Sequence, residues 1–284
     1  MSRSRAWATR RLAARSLCLL VIALPAIGAR AADEGPAEEP PPAPYWSREP
    51  VRPFLALDLE AGAYLRATAS AGYGRPHWLW AGAEAFAFET LDMGVLYGGV
   101  RANLLAADLQ LGVRRVFSQV RGTAPLAASH SIDDFDQAAR NVDYTTLVAE
   151  LSGGAPTPRG FVLYDLEALH ATDLARGQDL FEEWDHVVTN SGSLAAARLG
   201  WVLALGQDGF IKLGPMGDLT ASFGRGTTAR AGAIGIINLT NHLDLVGLLL
   251  WPLRSPDELG FKGTFGTLRL RWKWASGESQ PGFK

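Results

Sequence analysis

The stretch Phe265-Gly-Thr-Leu-Arg-Leu-Arg-Trp-Lys-Trp274 restricts this chain more than any other. Successive side chains of a strand point to opposite faces. Leu268, Leu270, Trp272 and Trp274 therefore share one face, and Arg269, Arg271 and Lys273 share the other. In a soluble sheet the apolar face would turn to a core. In a transmembrane barrel the polarity inverts, with apolar side chains toward lipid and charges toward the lumen. The other end of the chain favours the barrel. In Leu55-Ala-Leu-Asp-Leu-Glu-Ala-Gly-Ala-Tyr-Leu65, the residues Leu55, Leu57, Leu59, Ala61, Ala63 and Leu65 oppose Asp58, Glu60 and Tyr64. A closed barrel pairs its first strand with its last. That sets an acidic inner face beside a basic one, and opposite charges on neighbouring strands attract. A slip by one residue would turn Arg269, Arg271 and Lys273 to lipid, at roughly 2–4 kcal/mol each at the bilayer midplane.

Between these ends, short alternating runs recur at 78–89, 93–104, 108–119, 144–151, 160–170, 194–205, 210–223, 230–239 and 241–253. Gly, Asn, Asp and Pro separate them, as tight turns require. The run 210–223 is the weakest, because Pro215 and glycines interrupt it. With the two end strands this makes eleven. Both termini on one side of a membrane require an even number. The expected fold is therefore all-β, a closed antiparallel transmembrane barrel of about twelve strands, with one strand missed or one run split, and with ten the next choice. The segment 152–158 reads as a joint between strands. Residues 121–142 read as a loop with a short helix capped at Ser131. Residues 171–192, with Asp173, Asp179, Glu182, Glu183 and Asp185 around Phe181 and Trp184, read as a solvated surface loop.

The first 31 residues hold six arginines and no acid, and an apolar run from 17 to 28 ends at Ala29-Arg-Ala31. This is the pattern of a cleaved secretory signal. The run is too short to span as a helix. Residues 32–50 are rich in Pro, Glu and Ala and read as a disordered periplasmic leader. Residues 51–275 are the expected barrel, and 276–284 a polar tail. Without the signal, 21 basic residues stand against 29 acidic ones, a net charge of −8, which argues against nucleic-acid partners. The only cysteine, Cys18, lies within the signal, so the remainder has no disulfide or thiolate site.

No catalytic set is legible. A serine nucleophile needs a base within about 3 Å. His130-Ser131 are adjacent, and adjacent strand residues point apart. Asn241-His242 has no serine at a useful offset. His170 and His186 flank the acidic loop with no nucleophile placed for them. The acids of that loop lack a recognisable metal-ligand spacing. Neither a catalytic site, a metal site nor a cofactor is expected. The informative set is the charged residues expected to face the lumen: Asp58, Glu60, Arg66, Arg101, Asp108, Arg114, Arg198, Arg230, Asp244, Arg269, Arg271 and Lys273. In a narrow bore such charges pair and fill the space, because unpaired ones are costly.

After the leader, the chain resembles bacterial outer-membrane β-barrels as a class. Residues 265–274 look like a closing strand ending on an aromatic, and the rest alternates as such barrels do. The tail after the aromatic departs from that pattern. The Ala/Gly/Arg-rich style suits a high-GC bacterium, and within the class the chain resembles the small barrels of myxobacterial gliding-motility and envelope complexes in context, without a motif diagnostic of them. The resemblance implies an integral protein of the outer membrane of a Gram-negative bacterium. It implies contact with outer-membrane lipid and lipopolysaccharide, and with periplasmic and outer-membrane partner proteins. The expected function is a non-enzymatic structural or anchoring component of an envelope-spanning complex of motility or surface-polymer machinery. A narrow, weakly anion-selective pore is the alternative, and a lipid-modifying enzyme the third.

Overall fold

The computed structural model describes residues 44–138, 142–174, 177–206 and 210–278. The signal and most of the leader lie outside the described residues. The strands are β1 (Arg52–Gly62), β2 (Leu65–Arg75), β3 (Leu79–Glu89), β4 (Met93–Leu104), β5 (Ala107–Ser118), β6 (Thr123–Pro125), β7 (Asp143–Thr157), β8 (Gly160–Ala171), β9 (Gln178–Glu182), β10 (Val187–Thr189), β11 (Ser193–Leu205), β12 (Ile211–Ser222), β13 (Gly226–Asn238), β14 (Leu243–Arg254) and β15 (Phe265–Ala275). Twelve of them close a barrel in the order β1-β15-β14-β13-β12-β11-β8-β7-β5-β4-β3-β2. The first strand meets the last in the register Asp58↔Lys273 and Glu60↔Arg271.

The strand that sequence reading passed over is β2. Its outward positions are Leu65, Ala67, Ala69, Ala71 and Tyr73, and its inward ones are Arg66, Thr68, Ser70, Gly72 and Gly74. Small residues on both faces leave almost no hydropathy contrast to read. The joint expected at 152–158 is instead the end of β7, paired with β8 out to Thr157↔Gly160. Gly153 belongs there because the Ala106 carbonyl oxygen and the Tyr164 ring lie where a Cβ would stand. Pro215 is accommodated inside β12. Pairing with β11 stops at Gly200↔Met216 and resumes at Leu203↔Leu213, so the missing N–H falls in a gap in the ladder.

Both described ends of the barrel wall, Arg52 and Ala275, lie at one end of the barrel, called here the near end. Its connections are short: 76–78, 105–106, 158–159, 206–210 and 239–242. The long connections 119–142, 172–192 and 255–264 all lie at the far end. There β6, β9 and β10 form a separate sheet, and α1 (Ile132–Ala138) packs beside it. Ala124, Phe135, Phe181, Val188 and Leu259 make the core of this unit. Asp134 closes the first turn of α1 by accepting from the Ser131 N–H at 2.7 Å.

Along β2, β3, β11 and β12 less and more exposed residues alternate most regularly. The outward set is apolar: Leu55, Leu59, Leu96, Val100, Leu199, Leu213, Leu219, Leu249, Trp251, Leu268 and Leu270 are all exposed. The inward set carries the charges. The end of the leader is ordered, contrary to expectation. Tyr45–Arg48 is a 3₁₀ turn with Trp46 buried.

Candidate functional site

The lumen holds the chemistry. The alternation places Asp58 and Glu60 of β1, Arg66 of β2, Arg101 of β4, Asp108 and Arg114 of β5, Arg198 of β11, Arg230 of β13, Asp244 of β14 and Arg269, Arg271 and Lys273 of β15 on inward positions. Arg101 forks onto Asp108 (Nε 2.9 Å, Nη2 2.6 Å) and reaches Glu84 at 2.7 Å. Arg114 meets Glu167 at 3.0 Å. Arg230 meets Asp218 at 2.6 Å. The basic stripe of β15 faces the acids of β1 in register, yet two of its cations turn the other way. Arg271 and Lys273 share Asp244 of β14 at 2.8 and 2.6 Å. Arg269 lies 3.5 Å from Glu60 and donates to the Tyr64 hydroxyl. Arg66 has no ion pair among the described residues and lies over the Phe86 ring, 4.1 Å from its centroid.

Sequence reading missed what occupies the middle. The connection 172–192 is not a solvated surface loop. Asp179, Glu182 and Asp185 have no exposure, and Glu183 is buried. The turn between β9 and β10 dips into the bore and is touched from strands all round it. Trp184 packs on Phe88 and Phe86 of β3, with ring centroids 5.1 and 6.1 Å away, and under the Arg114 guanidinium at 4.2 Å. Tyr144 of β7 donates to Glu182 at 3.1 Å. Arg198 donates to Asp185 at 2.6 Å and also holds Asp165 at 2.7 Å. Arg230 donates to the backbone carbonyls of Asp185 and His186 at 2.8 and 2.9 Å. The His186 ring faces Phe265 of β15 at 6.2 Å. A residue signal for this existed. Leu180, Phe181, Trp184, Val187 and Val188 are too apolar for a loop in water, and they interleave the acids.

Burial sets the protonation of this turn. It pushes Glu182 up to about 8, with the neighbouring Asp185 charge adding to the effect. It pushes Glu183 up to about 7 against the pull of Arg121. It lowers His186 to about 4, helped by the Arg230 charge, so the ring is neutral.

At the near end, Trp46 seats in the mouth. It clusters with Phe54, Ala56, Trp80 and Ala275, and its indole N–H donates to the Asn241 carbonyl at 3.0 Å. Within the bore is a polar chamber of about 240 Å³, lined by residues of β1 to β5 and β15 and by His77.

The histidines are distributed as follows. His130 is buried, with Nε2 2.8 Å from Asp179, and the adjacent Ser131 belongs to the α1 cap. His170 does have a serine beside it, contrary to the sequence reading. Ser193 lies opposite it on β11, and Nδ1 and Oγ are 2.9 Å apart. Among the described residues no further group hydrogen-bonds that ring, so the pair lacks the third member that would orient a base. No group of three or more His, Cys, Asp or Glu among the described residues is arranged to hold a metal ion.

No family model matches the chain, and no curated protein matches it. Among solved structures it is similar to the NanC porin (TM-score 0.36, 9% identity, covering 79% of this chain and 98% of that one). It is similar to CdiB from Acinetobacter baumannii (TM-score 0.41, 8% identity, 79% and 60%). It is similar also to a mutant of Rh. blastica porin (TM-score 0.25, 6% identity, 79% and 99%). At such low identity and TM-score, no property of those proteins passes to this chain.

Proposed function

We propose that the chain is an integral outer-membrane barrel that acts as a non-enzymatic structural or anchoring component of an envelope-spanning assembly. The apolar outer wall and charged interior suit lipid outside and water or protein inside. Strands of 11 to 15 residues are long enough, since a tilted strand crosses with about 9–11. The observation that carries the anchoring reading is the β9–β10 turn lodged across the bore and tied to β3, β5, β7, β11, β13 and β15. A barrel filled by its own loop offers its ends and outer wall to partners rather than a passage to solutes. Motility and surface-polymer machineries are the assemblies this suits.

The second reading is a narrow, weakly anion-selective pore. It is favoured by Arg269, Arg271 and Lys273 in line down one wall. Ion conductance of the purified, heat-modifiable protein in a planar bilayer separates the two. A silent barrel is expected. Stable unitary steps with anion preference, reduced by neutralising Arg269 or Arg271, would overturn the anchoring reading in favour of the pore. Loss of the barrel with any partner assembly still localised and active would remove the anchoring reading outright.

A further inference from the structure

The near-end mouth is closed by a segment that is not part of the wall. Trp46 belongs to the Tyr45–Arg48 turn ahead of β1, and it is 6% exposed. Its ring lies between two histidines that rise from different turns of the rim, His77 at 4.4 Å and His242 at 5.3 Å between centroids. Both histidines are fixed by backbone carbonyls of β15: His77 Nε2 is 3.1 Å from the Trp274 oxygen, and His242 Nδ1 is 3.1 Å from the Lys273 oxygen. The far side of the turn is stitched to the end of the chain. Glu49 pairs with Arg52 at 3.3 Å, and Arg52 donates to the Ser276 carbonyl.

What lies beneath Trp46 gives the arrangement its meaning. Phe54, Ala56 and Trp80 pack against Trp46 from below, and these same residues, with His77, form part of the wall of the 240 Å³ chamber. Deeper in the chamber are Asp58, Ser70, Glu84, Arg101, Arg271 and Lys273. A space of that size has room for several waters. Its polar lining suits small polar solutes.

The contacts that hold Trp46 are those of a lodged side chain rather than of a wall strand. One indole hydrogen bond, two edge-on ring contacts and burial of one aromatic keep it there. No sheet ladder includes it. None of the strand pairs that close the barrel involves it.

We propose that the Tyr45–Arg48 turn is a removable stopper, with Trp46 as its plug, which controls access from the near end to a solute-sized chamber in the lumen. The turn sits at the head of the wall and takes part in none of its strand pairs, so its departure would unseat Trp46 and open the chamber while the wall stays paired. This goes beyond the anchoring reading and does not depend on it, since the stopper would act on a pore as well.

The test uses the full chain with Cys18→Ser, so that a single introduced thiol reports. Ser70→Cys places that thiol in the chamber. Iodoacetamide labelling is compared with and without Trp46→Ala, with heat-modifiable migration as the check that each barrel is closed. Leu91→Cys, in an exposed far-end turn, is the unprotected reference. Labelling of the chamber thiol about tenfold or more faster in the Trp46→Ala chain, with the reference unchanged, is the expected result, because access scales with the open fraction. The pair His77→Gly and His242→Ala, which keeps Trp46 but removes its two ring neighbours, should accelerate labelling in the same direction. Equal rates with and without Trp46, whether both fast or both slow, would overturn the proposal. The first would mean that Trp46 closes nothing, and the second that another element does.

Discussion

At the scale of single residues, the interior is an exercise in paying for buried charge. Arg198 illustrates the solution. Its guanidinium reaches Asp185 and Asp165 directly, with Asp218 at 3.3 Å and Glu167 at 3.7 Å. One cation so placed serves four carboxylates, and a buried charge left alone costs several kcal/mol. Glu183 is the less complete case. Arg121 approaches it at 3.3 Å but also serves Asp92 and Asp136, and burial still raises Glu183 from the ordinary 4.5 to about 7. The folded protein therefore holds this proton more tightly than the unfolded chain does. That contribution to stability is fully present below about pH 4.5 and is lost as pH rises through about 7. The Glu183→Gln chain, neutral at every pH, lacks this loss. Thermal unfolding followed by heat-modifiable migration should show the parent falling behind Glu183→Gln as pH rises across that window, and parallel profiles would refute the assignment.

At the scale of elements, the wall and its contents differed in how far they could be read. β15 was legible because Arg and Lys alternate with Leu and Trp, the largest hydropathy contrast a strand can offer. The pairing of β1 with β15 followed from charge sign and from closure. β2 was hidden because Ala alternates with Thr, Ser and Gly. The β9–β10 turn was hidden for a different reason. Acids in a loop are usually solvated, and the cations that hold this turn come from three other strands whose arrangement only the closed barrel provides: Arg198 on the Asp185 carboxylate, Arg230 on the Asp185 backbone carbonyl and Arg114 over the Trp184 ring. The lumen charges were visible one by one, but their partners were not. Arg271 and Lys273 choose Asp244 over the β1 acids opposite them, Glu60 and Asp58, which is a matter of side-chain reach within a fixed register. Since the turn is an insert and not a wall element, replacing residues 178–189 by a short Gly-Ser linker should leave the twelve-strand barrel closed. In a planar bilayer that chain should stay silent until Trp46→Ala is added, and then conduct. Conduction by the parent, or silence of the combined variant in its closed form, would contradict a bore blocked at both ends.

At the scale of the whole molecule, one physical question separates a membrane barrel from a soluble one of the same topology: what lies against the outer wall. Leu249 is suited to ask it. It is near the middle of β14, points outward, is 57% exposed, and pairs with Ala233 on one side and Gly266 on the other. On a soluble surface, Leu249→Arg would change stability by within about 0.5 kcal/mol, as most exposed substitutions do. Facing hydrocarbon at the midplane, the same change costs roughly 2–4 kcal/mol. The lumen supplies the control, because Thr267 is inward on β15 and partly buried among charged neighbours. Thr267→Ser there removes one methyl group and adds no charge, and should be mild in either setting. Reversible unfolding by urea in lipid vesicles is expected to show the large penalty for Leu249→Arg and a small one for Thr267→Ser. A Leu249→Arg chain as stable as the parent would mean that water, not lipid, meets the leucine and tryptophan wall, and the outer-membrane reading would fall with it.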